Sequence, residues 1–301
     1  MLNNVSGKIH SGSFPVQHRT GMTAPQAESN SEPSLPTDRL STQPQLDSKE
    51  FKMLLDPSKF KHVPKALDKL RDKVSEAAEE TGRKLETPKK EEVRTQDIIF
   101  LDTEDHALKD QGYILRYRDI HGGSKDDNLT LKFRDNDAQK VAGANVDAAE
   151  GLAAKPKFEL DETFQDTETS VFSKSNKVKV PHLPATTVEN MTEYFPHLGE
   201  LGLAPDTKLK KMHGGDIVEE RYLVGNVKVG KHETAPAYLT LWYDDAHQET
   251  PAVAEFSFAH GVHDTASGVD QTSEEMMRSL HDNAPKWLSH GSTKTNFAYS
   301  E

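Results

Sequence analysis

Five segments of this chain alternate apolar and charged residues with a period of two, and no other feature constrains the fold as tightly. Side chains on a strand point to opposite faces in turn. Glu50 and Lys52 share one face, with Phe51 and Met53 on the other. Arg116 and Arg118 oppose Leu115 and Tyr117, and Thr130, Lys132 and Arg134 oppose Leu129, Leu131 and Phe133. Lys157, Glu159 and Asp161 oppose Phe158 and Leu160, and Glu255 and Ser257 oppose Ala254, Phe256 and Phe258. Strand by strand, an ordinary antiparallel sheet with a solvated face would read this way. Two properties of the set favour another arrangement. The charged faces carry clusters of one sign, as in Arg116 with Arg118, and the expected helices are too few to cover a flat sheet. A closed barrel with a polar interior and helices on its apolar outside satisfies both.

Further elements follow from pattern and punctuation. Strands are expected over 50–55, 98–102, 113–119, 128–134, 157–163, 217–224, 226–229, 238–243 and 253–258, with a last short one over 294–299. Pro64 opens a helix with Leu67, Leu70, Val74 and Ala78 on one stripe and Gly82 near its end. A helix over 188–201 is interrupted at Pro196, and Ser273 is placed as the cap of another. The small, polar segment 138–155 reads as a long loop. The class is α+β, mainly β.

Composition separates a tail from this body. Residues 1–46 are rich in Ser, Pro, Gln, Asn and Thr and cannot bury enough apolar surface to offset ordering entropy, so they are expected to be disordered. A sharper reading of the same segment is a leaderless, type III-like secretion signal. Residues 47–301 form the expected folded domain. No apolar run reaches the ~18 residues of a membrane span, and no signal-peptide core is present. The expected location is cytoplasmic, or outside the cell by the leaderless route. Cysteine is absent, which excludes disulfides, thiolate metal sites and thiol catalysis. A net charge of -12 argues against binding a nucleic-acid duplex. If such a chain binds anions, its cations must be gathered in one place.

A charged lumen would gather them. Arg and Lys suit phosphate oxygens, Arg with bidentate donors. Clustered carboxylates suit a hard cation such as Mg²⁺ or Mn²⁺. Both together are what metal-bridged phosphoryl chemistry needs.

Phe100-Leu101-Asp102-Thr103, Leu108, Gly112-Tyr113, Leu115-Arg116-Tyr117-Arg118 and Leu129-Thr130-Leu131-Lys132 together resemble the central signature of CYTH domains, close to FDT…L…G…LRxR…TLK. That family includes class IV adenylate cyclases, thiamine triphosphatases and inorganic triphosphatases. The resemblance spans about residues 48–298 and is strongest over 97–134. It implies a closed antiparallel eight-stranded tunnel barrel with peripheral helices, binding a triphosphate or polyphosphate small molecule with Mg²⁺ or Mn²⁺. It implies phosphate-binding and catalytic roles for Lys52, Arg116, Arg118 and Lys132, with Lys157, Arg221 and Lys294 as further phosphate contacts. Lys208, Lys210 and Lys211 compete with Arg221 for its place. The metal ligands it implies are Glu50, Glu159, Asp244 and Glu255. Glu50 and Lys52 are similar to the end of the family's opening E-x-E-x-K, whose first position is Ser48 here. Glu255 is similar to the first member of a late E-x-E, whose second position is Ser257 here. A hydroxyl is a weak neutral ligand, so these departures weaken a metal site. The activity implied is metal-dependent hydrolysis of a triphosphate-containing compound. The alternative is a non-catalytic polyphosphate- or nucleotide-binding module, including a secreted bacterial effector built on the same fold.

Other motifs carry less. Gly225 to Lys231 reads G-x-x-x-x-G-K, but His232 follows and no helix does, so a P-loop is not expected. His260 to Asp264 reads as a loop, and the His-Gly-Gly runs at 121–123 and 213–215 as turns. Met276-Met277 and Trp287-Leu288 read as helix core.

Overall fold

The alternating segments close on one another. A computed structural model describes residues 44–122, 126–152, 154–230, 233–244, 248–262 and 268–300. The strands are β1 (Ser48–Leu55), β2 (Leu85–Glu86), β3 (Val93–Asp102), β4 (Tyr113–Ile120), β5 (Asp127–Asp135) and β6 (Lys157–Thr163). They continue with β7 (Thr169–Val180), β8 (Lys210–Lys211), β9 (Ile217–Lys228), β10 (Thr234–Tyr243) and β11 (Val253–Gly261). The hydrogen-bonded order is β9-β10-β11-β1-β6-β7-β5-β4-β3, and β3 pairs back to β9 to close the ring. The two-residue β2 and β8 flank the ring, so of eleven strands nine form the barrel.

This corrects the expected eight antiparallel strands. The additional strand is β7, which the alternation misses because its lumen side carries Ser173 and Ser175 and its outer side Lys174 and Asn176. An odd number of strands cannot alternate in direction all round a closed ring. At least one neighbouring pair must be parallel, and that pair is β1 with β6.

The apolar faces point outward. Phe51, Met53, Leu239, Leu241, Phe256 and Phe258 pack under α1 (Val63–Glu80) and α5 (Val269–Asn283). Helix α1 begins at a proline in its first turn and buries Leu67, Leu70, Val74, Ala77 and Ala78. Each fully buried Leu contributes about 1.5–3 kcal/mol. It ends at Gly82, whose φ of 67° lets the Arg83 amide turn back to Ala78 O at 2.7 Å. On the opposite side Leu115, Tyr117, Leu129, Leu131 and Phe133 pack under α3 (Ala138–Gly143) and α4 (Val188–Thr192), together with the 3₁₀ turn Pro196–Glu200.

Several local expectations change. Segment 138–155 contains α3, and 226–229 is the end of β9 rather than a separate strand. The 188–201 helix is two short pieces with a break before Pro196. Helix α5 starts at Val269 after Gly268, so Ser273 lies inside it and is buried. Residues Lys294–Ala298 form a helix, α6, capped by the Thr293 side chain, where a strand was expected. Residues 1–43, and with them nearly all of the expected tail, lie outside the described residues, as do 123–124, 231–232 and 263–264 of the motifs above. Among the described residues no helix is long and apolar enough to cross a membrane.

One end of the lumen is filled. Leu54, Ile98, Phe100, Ile114, Ile217, Trp242 and Val253 meet there with Ala298 and Tyr299 at the C-terminal end of α6. The Asp102-Thr103 step of the signature is part of this packing. Fully buried Asp102 accepts from the amides of Thr103 (2.7 Å), Leu108 (2.8 Å) and Lys109 (3.0 Å) and from Tyr299 Oη (3.3 Å). It ties the short helix α2 (Ala107–Asp110) and the chain end to β3. Asp102→Ala leaves these donors without an acceptor. It is expected to cost about 2–3 kcal/mol, read as a lower urea midpoint at an unchanged slope.

Candidate functional site

Above the filled end lies a cavity of about 180 Å³. Strand pairing assembles its wall. Arg116 lies opposite Thr130, and Ile114 opposite Lys132, across the β4–β5 pair. Glu50 lies opposite Asp161 across β1–β6, and Lys52 opposite Ser257 across β1–β11. Arg118, Arg134, Glu219, Arg221 and Lys294 complete the charged lining. A second chamber of about 330 Å³ adjoins it and shares Lys52, Ile114, Arg134, Lys294 and Thr295, with Glu255 and Lys109 added.

The charges fall into two groups. In the first, Lys52 Nζ stands 3.1 Å from Glu50 and 3.4 Å from Asp161, and Arg134 donates to Asp161 at 2.8 Å. Burial alone would raise the Asp161 carboxyl, but Lys52, Lys132 and Arg134 hold it well below the ordinary range. Burial likewise opposes the Lys52 ammonium, and Glu50 and Asp161 more than offset it, raising its pKa. Glu50 is held low mainly by Lys52, again against burial.

The second group feels Glu219, Glu50 and Asp161 only from beyond ion-pair distance. Arg116, Arg118 and Lys132 make no ion pair among the described residues, and the buried Nε atoms of Arg116 and Arg118 have no acceptor. All three line the cavity. Burial, and next to it Arg118, push Arg116 down to about 9. Burial also lowers Arg118 and Lys132. A guanidinium stays protonated at neutral pH. The downward shift therefore expresses an electrostatic cost that an anion in the lumen would relieve.

The remaining predicted residues divide. Arg221 lines the cavity and lies over the Tyr238 ring, 3.7 Å from its centroid. Its competitors do not enter. Lys210 pairs with Glu104 and Lys211 with Asp216 outside, and Lys208 lines neither chamber. Lys294 enters from α6 and binds Glu255 at 2.6 Å. Exposed Lys157 binds Glu159 at 2.6 Å, and Glu159 also accepts from Ser48 at 2.9 Å. Asp244 is exposed at the end of β10, 2.7 Å from His213, and lines neither chamber.

The expected metal set is therefore not assembled. A divalent cation needs several oxygens turned to one point. Glu50, Glu159 and Glu255 each face a different cation, Lys52, Lys157 and Lys294, and Asp244 faces the His213 ring. Among the described residues the one group of three converging ligand atoms is Asp97, Asp119 and His121, on the outer side of β3 and β4. The one pair of lumen carboxylates that does converge, Glu50 with Asp161, converges on the Lys52 ammonium, so the carboxylates as placed do not fit a resident divalent metal.

Three lumen residues stand outside the predicted set. Arg134 and Asp161 are legible from the alternation, two positions beyond Lys132 and Glu159. Glu219, two before Arg221, is buried and accepts from Gln96 and from Trp242 Nε1 at 2.7 Å. Burial would raise Glu219, but Arg118 and Lys294 with these hydrogen bonds keep it low. At the rim, Lys177 of the unrecognised β7 lies opposite Thr130, and its pKa is lowered by burial and then by Arg118 and Arg116.

No family model and no curated protein matches the sequence. Solved structures that align with this chain include HpAC1 from Hippeastrum, described as an adenylyl cyclase candidate with a dominant triphosphatase activity. It has 14% identity and a TM-score of 0.46, over 84% of this chain and 95% of that one. A candidate adenylate cyclase from Bacillus halodurans has 14% identity and a TM-score of 0.41, over 85% and 100%. PH1819 from Pyrococcus horikoshii has 13% identity and a TM-score of 0.33, over 81% and 94%.

Proposed function

We propose that the lumen is a receptor for the phosphate chain of a triphosphate-containing compound or a short polyphosphate, and that hydrolysis of the chain is the activity its signature implies. One observation carries the binding: Arg116, Arg118 and Lys132 stand together inside the barrel, and none of them has a carboxylate within ion-pair distance among the described residues. Charge removed from water without a partner costs several kcal/mol, and a polyanion restores the balance. Arg116 and Arg118 offer planar forks to phosphate oxygens, and Lys132 a compact ammonium. Lys52, Arg134 and Lys294 border the same space and neutralise whatever charge the first three leave. The hydrolysis rests on the resemblance of residues 100–132 to the CYTH signature. Because the carboxylates do not fit a resident metal, no step is assigned to one.

The test pairs calorimetry with phosphate release. Tripolyphosphate, thiamine triphosphate and ATP are titrated into the protein, and release is followed with and without Mg²⁺ or Mn²⁺. Saturable one-to-one binding and release from one compound is the expected result. No binding by the folded protein would overturn the receptor.

A second reading, binding without turnover, is favoured by the engagement of each carboxylate with its own side-chain partner. It predicts the same isotherms and no phosphate released under any metal condition.

A further inference from the structure

We propose that the lumen takes its phosphate chain free of divalent metal, with the Lys52 ammonium occupying the place between carboxylates that a metal ion would hold and the Ser257 hydroxyl turned to the chain as a donor. This rests on the receptor reading above and adds the form in which the ligand is recognised.

The first support is positional. Lys52 Nζ already lies between Glu50 and Asp161, at 3.1 and 3.4 Å, and Arg134 holds Asp161 from another side. A divalent ion brought to these carboxylates would meet two cations at the same point. Glu255, the other lumen carboxylate expected to bind metal, is closed by Lys294 at 2.6 Å.

The second support is the chemistry of Ser257. It is buried and lines the cavity directly opposite Lys52, and its hydroxyl makes no hydrogen bond among the described residues. A neutral hydroxyl beside an ammonium suits a phosphate oxygen, to which it donates. A carboxylate there would add charge of the wrong sign. Ser48, by contrast, is spent on Glu159.

The third support is the charge balance. Seven Lys and Arg side chains line the cavity against three carboxylates, Glu50, Asp161 and Glu219. The cationic excess matches a bare chain of ionised phosphates. A bound divalent ion would cancel two of the chain's charges and weaken the match.

Tripolyphosphate titrated into the full-length protein in EDTA, and again in excess Mg²⁺, tests the inference. Binding in EDTA is expected to be as tight as in Mg²⁺ or tighter, by up to about tenfold. Mn²⁺ alone, followed by its electron paramagnetic resonance, is expected to show no saturable lumen site. Ser257→Ala is expected to weaken binding in EDTA about three- to tenfold. Binding that needs Mg²⁺, or a loss of about tenfold or more in EDTA, would overturn the metal-free form and leave the receptor standing. Unchanged affinity in Ser257→Ala would overturn the hydroxyl's part. Absence of binding in both media by the folded protein would overturn the receptor itself, and this inference with it.

Discussion

Replacing Arg116 with alanine is expected to remove most of the affinity for a phosphate chain while leaving the barrel at least as stable as before. The two effects have one cause. Arg116 has no carboxylate within ion-pair distance among the described residues, its buried Nε has no acceptor, and burial with the adjacent Arg118 outweighs the pull of Glu219 and Glu50 on its charge. Without a bound anion the guanidinium is a liability, so its removal is expected to hold or raise the melting temperature. With a phosphate chain bound it becomes one side of a desolvated charge pair. Truncating one partner of such a pair costs about 2–5 kcal/mol, or about 30-fold to several thousandfold in Kd. Calorimetry with tripolyphosphate and a thermal melt on the same sample read both effects. A folded Arg116→Ala protein that binds as tightly as the wild type would remove the lumen from consideration as the phosphate site.

Asp161→Asn is expected to do the opposite. Asp161 is 3% exposed and serves Lys52 and Arg134 together. The isosteric amide keeps an acceptor but removes the charge that both cations face. Breaking a buried ion pair from one side costs about 3–5 kcal/mol, and a correspondingly earlier urea midpoint is the expected result. Binding of a phosphate chain is expected to survive or tighten in this variant, since Lys52 and Arg134 lose a competitor for the anion. The pH dependence follows from the same residue. Its folded-state pKa lies below the unfolded value, so its contribution is fully present above about pH 4, the ordinary carboxylate range. That contribution is lost as pH falls from there toward the depressed folded value. Glu50 and Glu219 are shifted in the same direction. Wild-type stability is therefore expected to fall as the pH is taken below about 4, with a shallower fall in Asp161→Asn. Equal slopes for the two proteins in that range would show that Asp161 is not the group that titrates.

Much of the lumen was legible before any strand was paired. The backbone sends side chains to alternate faces wherever a strand forms, so the sharing of one face by Arg116 with Arg118, by Lys132 with Arg134, and by Glu50 with Lys52 is a local property. The apolar partners Phe51, Leu115, Leu131 and Phe256 declare the outer face by the same rule, because only burial under helices removes them from water. What the sequence could not contain was register and closure. Strand β7, with serines at 173 and 175 where other strands carry charge, alternates only at its end, Lys177 to Val180, and its first half is a strand because β5 and β6 pair with it. Its presence makes the ring odd and one pair parallel. Lys294 reaches the lumen from a helix, and Asp244 leaves it at a strand end, because the packing of the chain end against Trp242 and Phe100 decides which way those segments point. The pairing of Lys52 with Asp161 joins residues far apart in the chain across a parallel register. By itself the sequence determined which side chains share a face, a matter of single-strand sterics. Tertiary structure alone decided which of those charges cancel and which are left for a ligand, because that depends on distances between strands.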